Sequence, residues 1–245
     1  MRSVSYQMVF KRYELKYMLT RKEKTAVLEA MEPYMALDSY GRTTIRNIYF
    51  DTENYRLIRR SIERPAYKEK LRLRSYKASG PEDLVFVELK KKYKSVVYKR
   101  RLIAAQAQAM ECLQKGEHLP VNSQIADEIQ YFCSYYGKLF PTVFLSYERE
   151  AYYCRDGGDF RVTFDENILA RREGFSFREG IYGTPLIERG STLMEVKTSG
   201  GLPLWLVRCL SEHAIFKTSF SKYGTAYENM IRADAAACEG GILHA

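Results

Sequence analysis

Lys68-Glu-Lys-Leu-Arg-Leu-Arg-Ser-Tyr76, Val85-Phe-Val-Glu-Leu-Lys-Lys-Lys92 and Val96-Val-Tyr-Lys-Arg-Arg-Leu102 follow one another in this chain. In each segment apolar and charged residues alternate, which is the pattern of a β-strand. Residues i, i+2 and i+4 of a strand share a face. Lys70, Arg72 and Arg74 therefore share one face, with Leu71 and Leu73 on the other. Glu88 and Lys90 form a second charged pair at this spacing, and Lys99 and Arg101 a third. Ser79-Gly-Pro-Glu-Asp83 supplies the turn between the first two strands. A single strand of this kind would be half of a hairpin with a solvated face. Three in succession set like charges opposite one another, which is repulsive, so the broad basic face points to a polyanion that neutralises it.

Working outward, residues 7–18 alternate as a strand, with Arg12, Glu14 and Lys16 on one face and Tyr13, Leu15 and Tyr17 on the other. Thr20-Arg-Lys-Glu23 fits a capping box. Val27, Leu28, Met31 and Met35 follow at helical spacing, which predicts a helix over about 21–35. Thr43–Asp51 reads as a strand and Asn54–Ile58 as a turn or short continuation. Helices are expected at Ala104–Gln114, ended by Gly116, and at Ser123–Tyr136. Strands resume at Thr142–Tyr153, Phe160–Asp165 and Leu193–Thr198, with Asp156-Gly-Gly-Asp159 as a hairpin turn. Pro203 opens a helix to about His213, Ser219–Ile231 is expected as a final helix or turn-plus-helix holding Lys222, and the tail from about residue 233 is expected to fray.

The 245 residues carry no linker or low-complexity block, so residues 1–245 are expected to form a single domain. A formal charge of +9 favours an anionic partner. Five scattered cysteines without a Cys-x-x-Cys pair argue against a disulfide framework or zinc site. No apolar run approaches the ~18 residues of a membrane span, no signal-peptide pattern opens the chain, and a soluble cytoplasmic protein is expected.

Eight to ten mostly antiparallel strands and several helices give an α+β fold. The apolar strand faces would lie outside under helices, while the charged faces converge on a lumen. A closed barrel of about eight strands is wide enough for side chains and a small ligand. The charged-phase residues are Lys16, Lys70, Arg72, Arg74, Lys90, Lys99, Arg101, Arg149, Arg161 and Lys197, with Glu14, Glu88, Asp165 and Glu195 among them. So much buried positive charge needs a counter-anion, and a chain of phosphates matches arginine geometry. The few acids suit a hard divalent cation that bridges phosphates. P-loop and Rossmann glycine motifs are absent, as is any Ser/His/Asp or Cys/His grouping.

The ordered set Arg-Tyr-Glu14-Leu-Lys16-Tyr, Lys70-Leu-Arg72-Leu-Arg74, Phe-Val-Glu88-Leu-Lys90, Tyr-Lys99-Arg-Arg101, Tyr-Glu-Arg149, Phe-Arg161-Val-Thr-Phe-Asp165, Met-Glu195-Val-Lys197 and Phe-Ser-Lys222-Tyr resembles the vacuolar transporter chaperone domain. That family is the polyphosphate polymerase branch of the triphosphate tunnel metalloenzymes. The resemblance spans about residues 8–230. It implies an antiparallel, roughly eight-stranded β-barrel tunnel and ATP-dependent polyphosphate synthesis with Mn²⁺ or Mg²⁺. It also implies that Lys16, Arg72, Arg74, Lys90, Lys99, Arg101, Arg149 and Arg161 cradle the triphosphate and growing chain, that Glu195 holds the metal and that Lys222 closes one tunnel end. Lys70, Lys197 and Glu14 are expected to contact substrate, and Glu88 and Asp165 to assist Glu195 with the metal. Two positions depart from the wider pattern. Arg12 stands where the superfamily often has the first acid of Glu-x-Glu-x-Lys, and Ser219 where a second lysine can precede the Lys222 equivalent, with Lys217 nearby. The membrane and phosphate-sensing domains of the fungal relatives have no counterpart in this sequence.

The expected activity is transfer of the ATP γ-phosphate to polyphosphate. A tunnel triphosphatase delivering phosphate to water needs the same cradle, and a non-catalytic polyphosphate-binding module would need no internal acids. A nucleic-acid barrel would need stacking aromatics on the charged face. Tyr13, Tyr17 and Tyr98 instead fall in the apolar phase, so nucleic acid is not an expected partner.

Overall fold

The computed structural model describes residues 13–94 and 96–232. Arg12, the expected strand start at 7–12 and the tail from 233 lie outside the described residues. The chain forms β1 (Tyr13–Leu19), α1 (Arg21–Met31), β2 (Met35–Leu37), β3 (Thr43–Asp51), α2 (Arg56–Ile62), β4 (Tyr67–Ser75), β5 (Leu84–Tyr93) and β6 (Val96–Ala105). There follow α3 (Gln106–Lys115), α4 (Gln124–Tyr136), β7 (Phe140–Cys154), β8 (Arg161–Arg171), β9 (Thr184–Pro185), β10 (Thr192–Thr198), α5 (Leu204–Glu212), α6 (Lys222–Ala226) and a π-helical turn, Tyr227–Arg232.

Eight strands form one antiparallel path in the order β1-β10-β8-β7-β3-β4-β5-β6, with β2 on β7 and β9 on β8. The path is open, where the sequence reading had a closed barrel. No ladder joins β1 to β6 among the described residues. The chain before α6 occupies the free edge of β1 instead: Tyr17 bridges Lys217, and the Thr218 N–H donates to the Lys16 carbonyl at 2.7 Å. The sheet still curls across the gap, since Lys90 Nζ of β5 lies 3.4 Å from Glu14 Oε2 of β1.

The alternation explains the outer layers. Leu71, Leu73, Val85, Val87, Leu89 and Leu102 of β4–β6 are buried in one core with Ala109 and Leu113 of α3 and Ile129 and Phe132 of α4. Tyr17, Val162, Phe164, Met194 and Val196 form a second core with Val27 and Met31 of α1 and Leu206 and Leu210 of α5. Burying each such side chain is worth about 1.5–3 kcal/mol, and these two layers fix which sheet face looks inward. A third cluster departs from the expected pattern, because it lies on the inner face. Ile45, Tyr49, Val143, Leu145, Ile168 and Ala170 pack there against Tyr223 and Ala226 of α6. On β8 a bulge causes the change. The β7–β8 register slips between Ser146 and Glu148, and Asn167 takes a left-handed φ of 49°. Asn tolerates that conformation, and one extra residue swaps the faces of a strand. Arg161, Thr163 and Asp165 therefore share the inner face with Ile168 and Ala170.

Beyond that bulge β8 continues to Arg171, six residues past the expected end at Asp165. Helix α1 stops at Met31 rather than about residue 35, because Pro33 has no N–H with which to continue the helical hydrogen bonds. Met35 is buried all the same, but in β2. Asn54–Ile58, expected as a turn, leads into α2. Its free N–H groups at Leu57 and Ile58 donate to the Asp51 carboxylate at 2.8 and 3.0 Å. The Thr20–Glu23 capping box and the Gly116 helix end form as the sequence predicts.

Candidate functional site: a charged inner sheet face

The inner face of the sheet carries two ion-pair hubs. The first is centred on Glu88, which is 1% exposed. Register places Glu88 between Arg72 of β4 and Arg101 of β6. Arg72 Nε donates to Glu88 Oε2 at 2.8 Å and Arg101 Nε to Oε1 at 2.7 Å. Lys99 Nζ lies 2.7 Å from Oε1, and Arg74 Nη1 lies 3.7 Å from Oε2. Burial would raise the Glu88 pKa, but Arg72, Arg74 and Lys99 outweigh it and hold the carboxyl far below its ordinary range. Neutral groups fix the arginines further. Arg72 donates to the Tyr49 hydroxyl at 2.8 Å, and Arg74 to Asn47 Oδ1 at 2.9 Å and the Tyr147 hydroxyl at 3.2 Å.

The second hub holds Asp165 of β8 and Glu195 of β10. Arg149 of β7 reaches Asp165 with both ends of its guanidinium, at 2.5 and 2.6 Å, and Glu195 at 3.4 Å. Lys222 Nζ lies 2.5 Å from Asp165 and 3.2 Å from Glu195. Lys16 lies 3.4 Å from Glu195 and 3.6 Å from Glu14, and Lys197 4.0 Å from Glu195. Burial opposes ionisation of both Asp165 and Glu195, yet Lys222 and Arg149 pull their pKa values down. Burial also raises Glu14, and Lys90, Lys16 and Lys197 overcome it to leave its pKa lowered to about 2. In the other direction, desolvation is the chief cause that pushes Lys70 down to about 7 and Lys99 and Lys197 down to about 8.

The structure thus brings Lys16, Lys70, Arg72, Arg74, Lys90, Lys99, Arg101, Arg149, Lys197 and Lys222 to one face with Glu14, Glu88, Asp165 and Glu195. Ten cationic groups against four carboxylates leave a formal excess of six. Arg161 lies at the start of β8 opposite Lys197 and is exposed, outside both hubs. Lys217 and Ser219 are exposed and belong to neither hub. The alternation of Thr142–Tyr153 puts Tyr147 on the same face as Arg149, and the structure bears this out; the inner-face hydroxyl of Tyr49 was not foreseen.

The three acids expected to hold a metal do not form one group. Glu88 sits in its own hub, and no cluster of three His, Cys, Asp or Glu side chains is placed to chelate among the described residues. Asp165 is fully buried and bound on both oxygens by cations. A smaller donor set fits a hard cation better. Glu14 and Glu195 share Lys16. Opposite Glu195, the Thr163 hydroxyl is buried without a hydrogen-bond partner. Magnesium commonly binds through one or two carboxylates with water and substrate phosphates, so two acids and a spare hydroxyl suffice.

The sequence matches the VTC domain over residues 11–231. The chain belongs to the VTC domain family. Two solved structures share its fold. One is a candidate adenylate cyclase of Bacillus halodurans, at 13% identity and a TM-score of 0.53, covering 87% of this chain and 94% of that one. The other, from Hippeastrum, is a candidate adenylyl cyclase reported to have a dominant triphosphatase activity. It shows 19% identity, a TM-score of 0.50 and coverage of 86% and 92%. No curated protein sequence matches. These likenesses establish an α+β tunnel-like fold. Among the described residues, no helix is long and apolar enough to cross a membrane.

Proposed function

We propose that this VTC domain is an ATP-dependent polyphosphate polymerase that uses Mn²⁺ or Mg²⁺. The observation that carries the reading is the excess of cations on the inner face, arranged in series along β4, β5 and β6. Arg72 and Arg74 lie two residues apart on one strand face, a separation of about 7 Å, so each guanidinium can hold a different phosphate of one extended chain. Lys90, Lys99 and Arg101 continue the cradle on β5 and β6, and Arg149, Lys16, Lys197 and Lys222 line the opposite wall. Arg161 would guide the chain at the mouth.

In this reaction a terminal phosphate oxygen of the chain attacks the γ-phosphorus of ATP in line. The new P–O bond forms as the bond to the β-phosphate oxygen breaks, and ADP leaves with that electron pair. The attacking oxygen is already anionic near neutral pH, so positioning and charge neutralisation supply the catalysis. Glu14 and Glu195 would hold the divalent cation, which neutralises phosphate charge. The arginines orient the chain, and the tyrosine hydroxyls keep the arginines in place.

Hydrolysis is the second reading: it needs the same cradle, and the Hippeastrum protein of the same fold is reported to have a dominant triphosphatase activity. Incubation with ATP and Mn²⁺, followed by gel analysis of phosphate chain length, tests the proposal. Lengthening chains with stoichiometric ADP are expected; orthophosphate as the sole phosphate product would overturn it in favour of the triphosphatase.

A further inference from the structure

Five inner-face lysines, Lys16, Lys90, Lys99, Lys197 and Lys222, each have a carboxylate oxygen within 4.0 Å. Lys70 has none among the described residues. Its Nζ lies 2.9 Å from Ser221 Oγ and 5.9 Å from the centre of the Tyr223 ring. Its other surroundings repel it. Lys90 stands directly opposite on β5, with Lys99 beyond on β6. Lys16 of β1, and Lys68 and Arg72 of its own strand, add positive charge. From β3, Tyr49 binds Arg72, while Asp51 is occupied by the N–H groups of α2 and the Tyr223 hydroxyl.

We propose that Lys70 is the seat for one phosphate of the bound chain, and that it takes a proton from solvent when that anion arrives. The inference rests on reading the inner face as a phosphate-chain site. A partly buried amine without a counter-anion is driven towards its neutral form. Desolvation and the four nearby cations push Lys70 down to about 7. Ser221 suits both states, since its hydroxyl can donate to a neutral amine or accept from an ammonium. A phosphate oxygen placed beside Nζ reverses the balance, and the amine becomes –NH₃⁺ with a proton drawn from the buffer. At pH 6 the group is already charged, so binding takes up nothing there. Above pH 7 each binding event must also supply a proton, and affinity falls with rising pH, by up to about tenfold per unit for one proton.

The test uses inorganic tripolyphosphate, without ATP or metal, and titration calorimetry in buffers of different ionisation enthalpy at pH 6 and pH 8. The wild type is expected to bind with more proton uptake at pH 8. Lys70→Arg keeps a charge that does not titrate, so it should bind with that uptake reduced by up to one proton and the pH slope flattened. Lys99 would supply the remainder. Lys70→Met should bind about tenfold or more weakly at pH 6 and, having lost an unpaired charge, melt no lower than the wild type. Full uptake and an unchanged slope in Lys70→Arg would overturn this inference alone. Failure of the wild type to bind tripolyphosphate would overturn the phosphate-chain reading and this inference with it.

Discussion

Replacing Glu88 by Gln removes the one negative charge on which Arg72, Arg74, Lys99 and Arg101 converge. The side chain keeps its shape, so the change is almost purely electrostatic. Lys99 and Arg101 are 44% and 34% exposed at the side chain, and water can screen them. Arg72 and Arg74, at 19% and 8%, depend more on the carboxylate. Breaking one buried pair costs about 3–5 kcal/mol. At about 2–4 °C per kcal/mol for a domain of this size, the ligand-free melting temperature should fall by about 6–20 °C. Tripolyphosphate should then recover more stability in the variant than in the wild type, because the anion supplies the missing counter-charge. Thermal melts followed by circular dichroism, with and without tripolyphosphate, measure both effects. A melting temperature within about 2 °C of the wild type, with an equal ligand shift, would refute the hub. If Glu88 were chiefly a metal ligand, its loss would instead appear as a weaker response to Mn²⁺ without the large fall in ligand-free stability.

Glu195→Gln should abolish most metal-dependent turnover while tripolyphosphate binding holds or strengthens; unchanged rates at limiting Mn²⁺ would remove Glu195 from the site. Arg72→Ala and Arg74→Ala should each cut the initial rate of polyphosphate formation strongly, and the lysine variants should recover only part, because an ammonium lacks the planar two-point grip. Arg171→Ala should destabilise the protein by about 3 kcal/mol or more and open residues 173–183 to proteolysis, since this buried guanidinium donates to the carbonyls of Glu173, Gly174, Ser176, Gly180 and Tyr182. Lys70, Lys99 and Lys197 have lowered folded pKa values, so the unfolded chain binds more protons above pH 7. Ligand-free stability should therefore rise as pH goes from about 7 to 9, and a falling melting temperature over that window would contradict the assignment.

The two-residue period made most of this site legible, because charge on one sheet face survives in sequence as alternation. It put the charged residues of β1, β4–β8 and β10 on one face. It failed where the period breaks or the partner is distant. Beyond Asp165 the Asn167 bulge reverses the alternation, so the rest of β8 was missed and its inner face was not foreseen as apolar. Helix α2 was missed because its cap is the carboxylate of Asp51, six residues before Leu57, and no local motif marks it. Closure was misjudged for a similar reason. The segment that takes the edge of β1 lies two hundred residues along the chain, around Lys217. The membership of each hub was also hidden, since a strand pattern says which face a charge takes but not which partner it meets.

That last distinction bears on why the acids are there at all. A face built only to attract phosphate would gain by omitting them, yet each carboxylate here is placed among cations that would otherwise repel one another. Glu88 holds four cations together, and Asp165 with Glu195 holds Arg149 and Lys222. In the ligand-free protein these acids act as internal counter-anions that keep the cradle ordered. An arriving phosphate chain competes for the same guanidinium and ammonium groups, and it brings its own charge against the acids. Deep in the Glu88 hub that repulsion is offset by four cations. At Glu14 and Glu195 the cations are mostly lysines, at 3.2–4.0 Å, and the Thr163 hydroxyl stands unpaired beside them. This is where carboxylate and phosphate would lie closest with the least between them, and a divalent cation placed there relieves the repulsion as well as binding both. A divalent cation in the proposed reaction would therefore sit at the loose end of the ion-pair network, whereas its tight end keeps the cradle folded before substrate arrives.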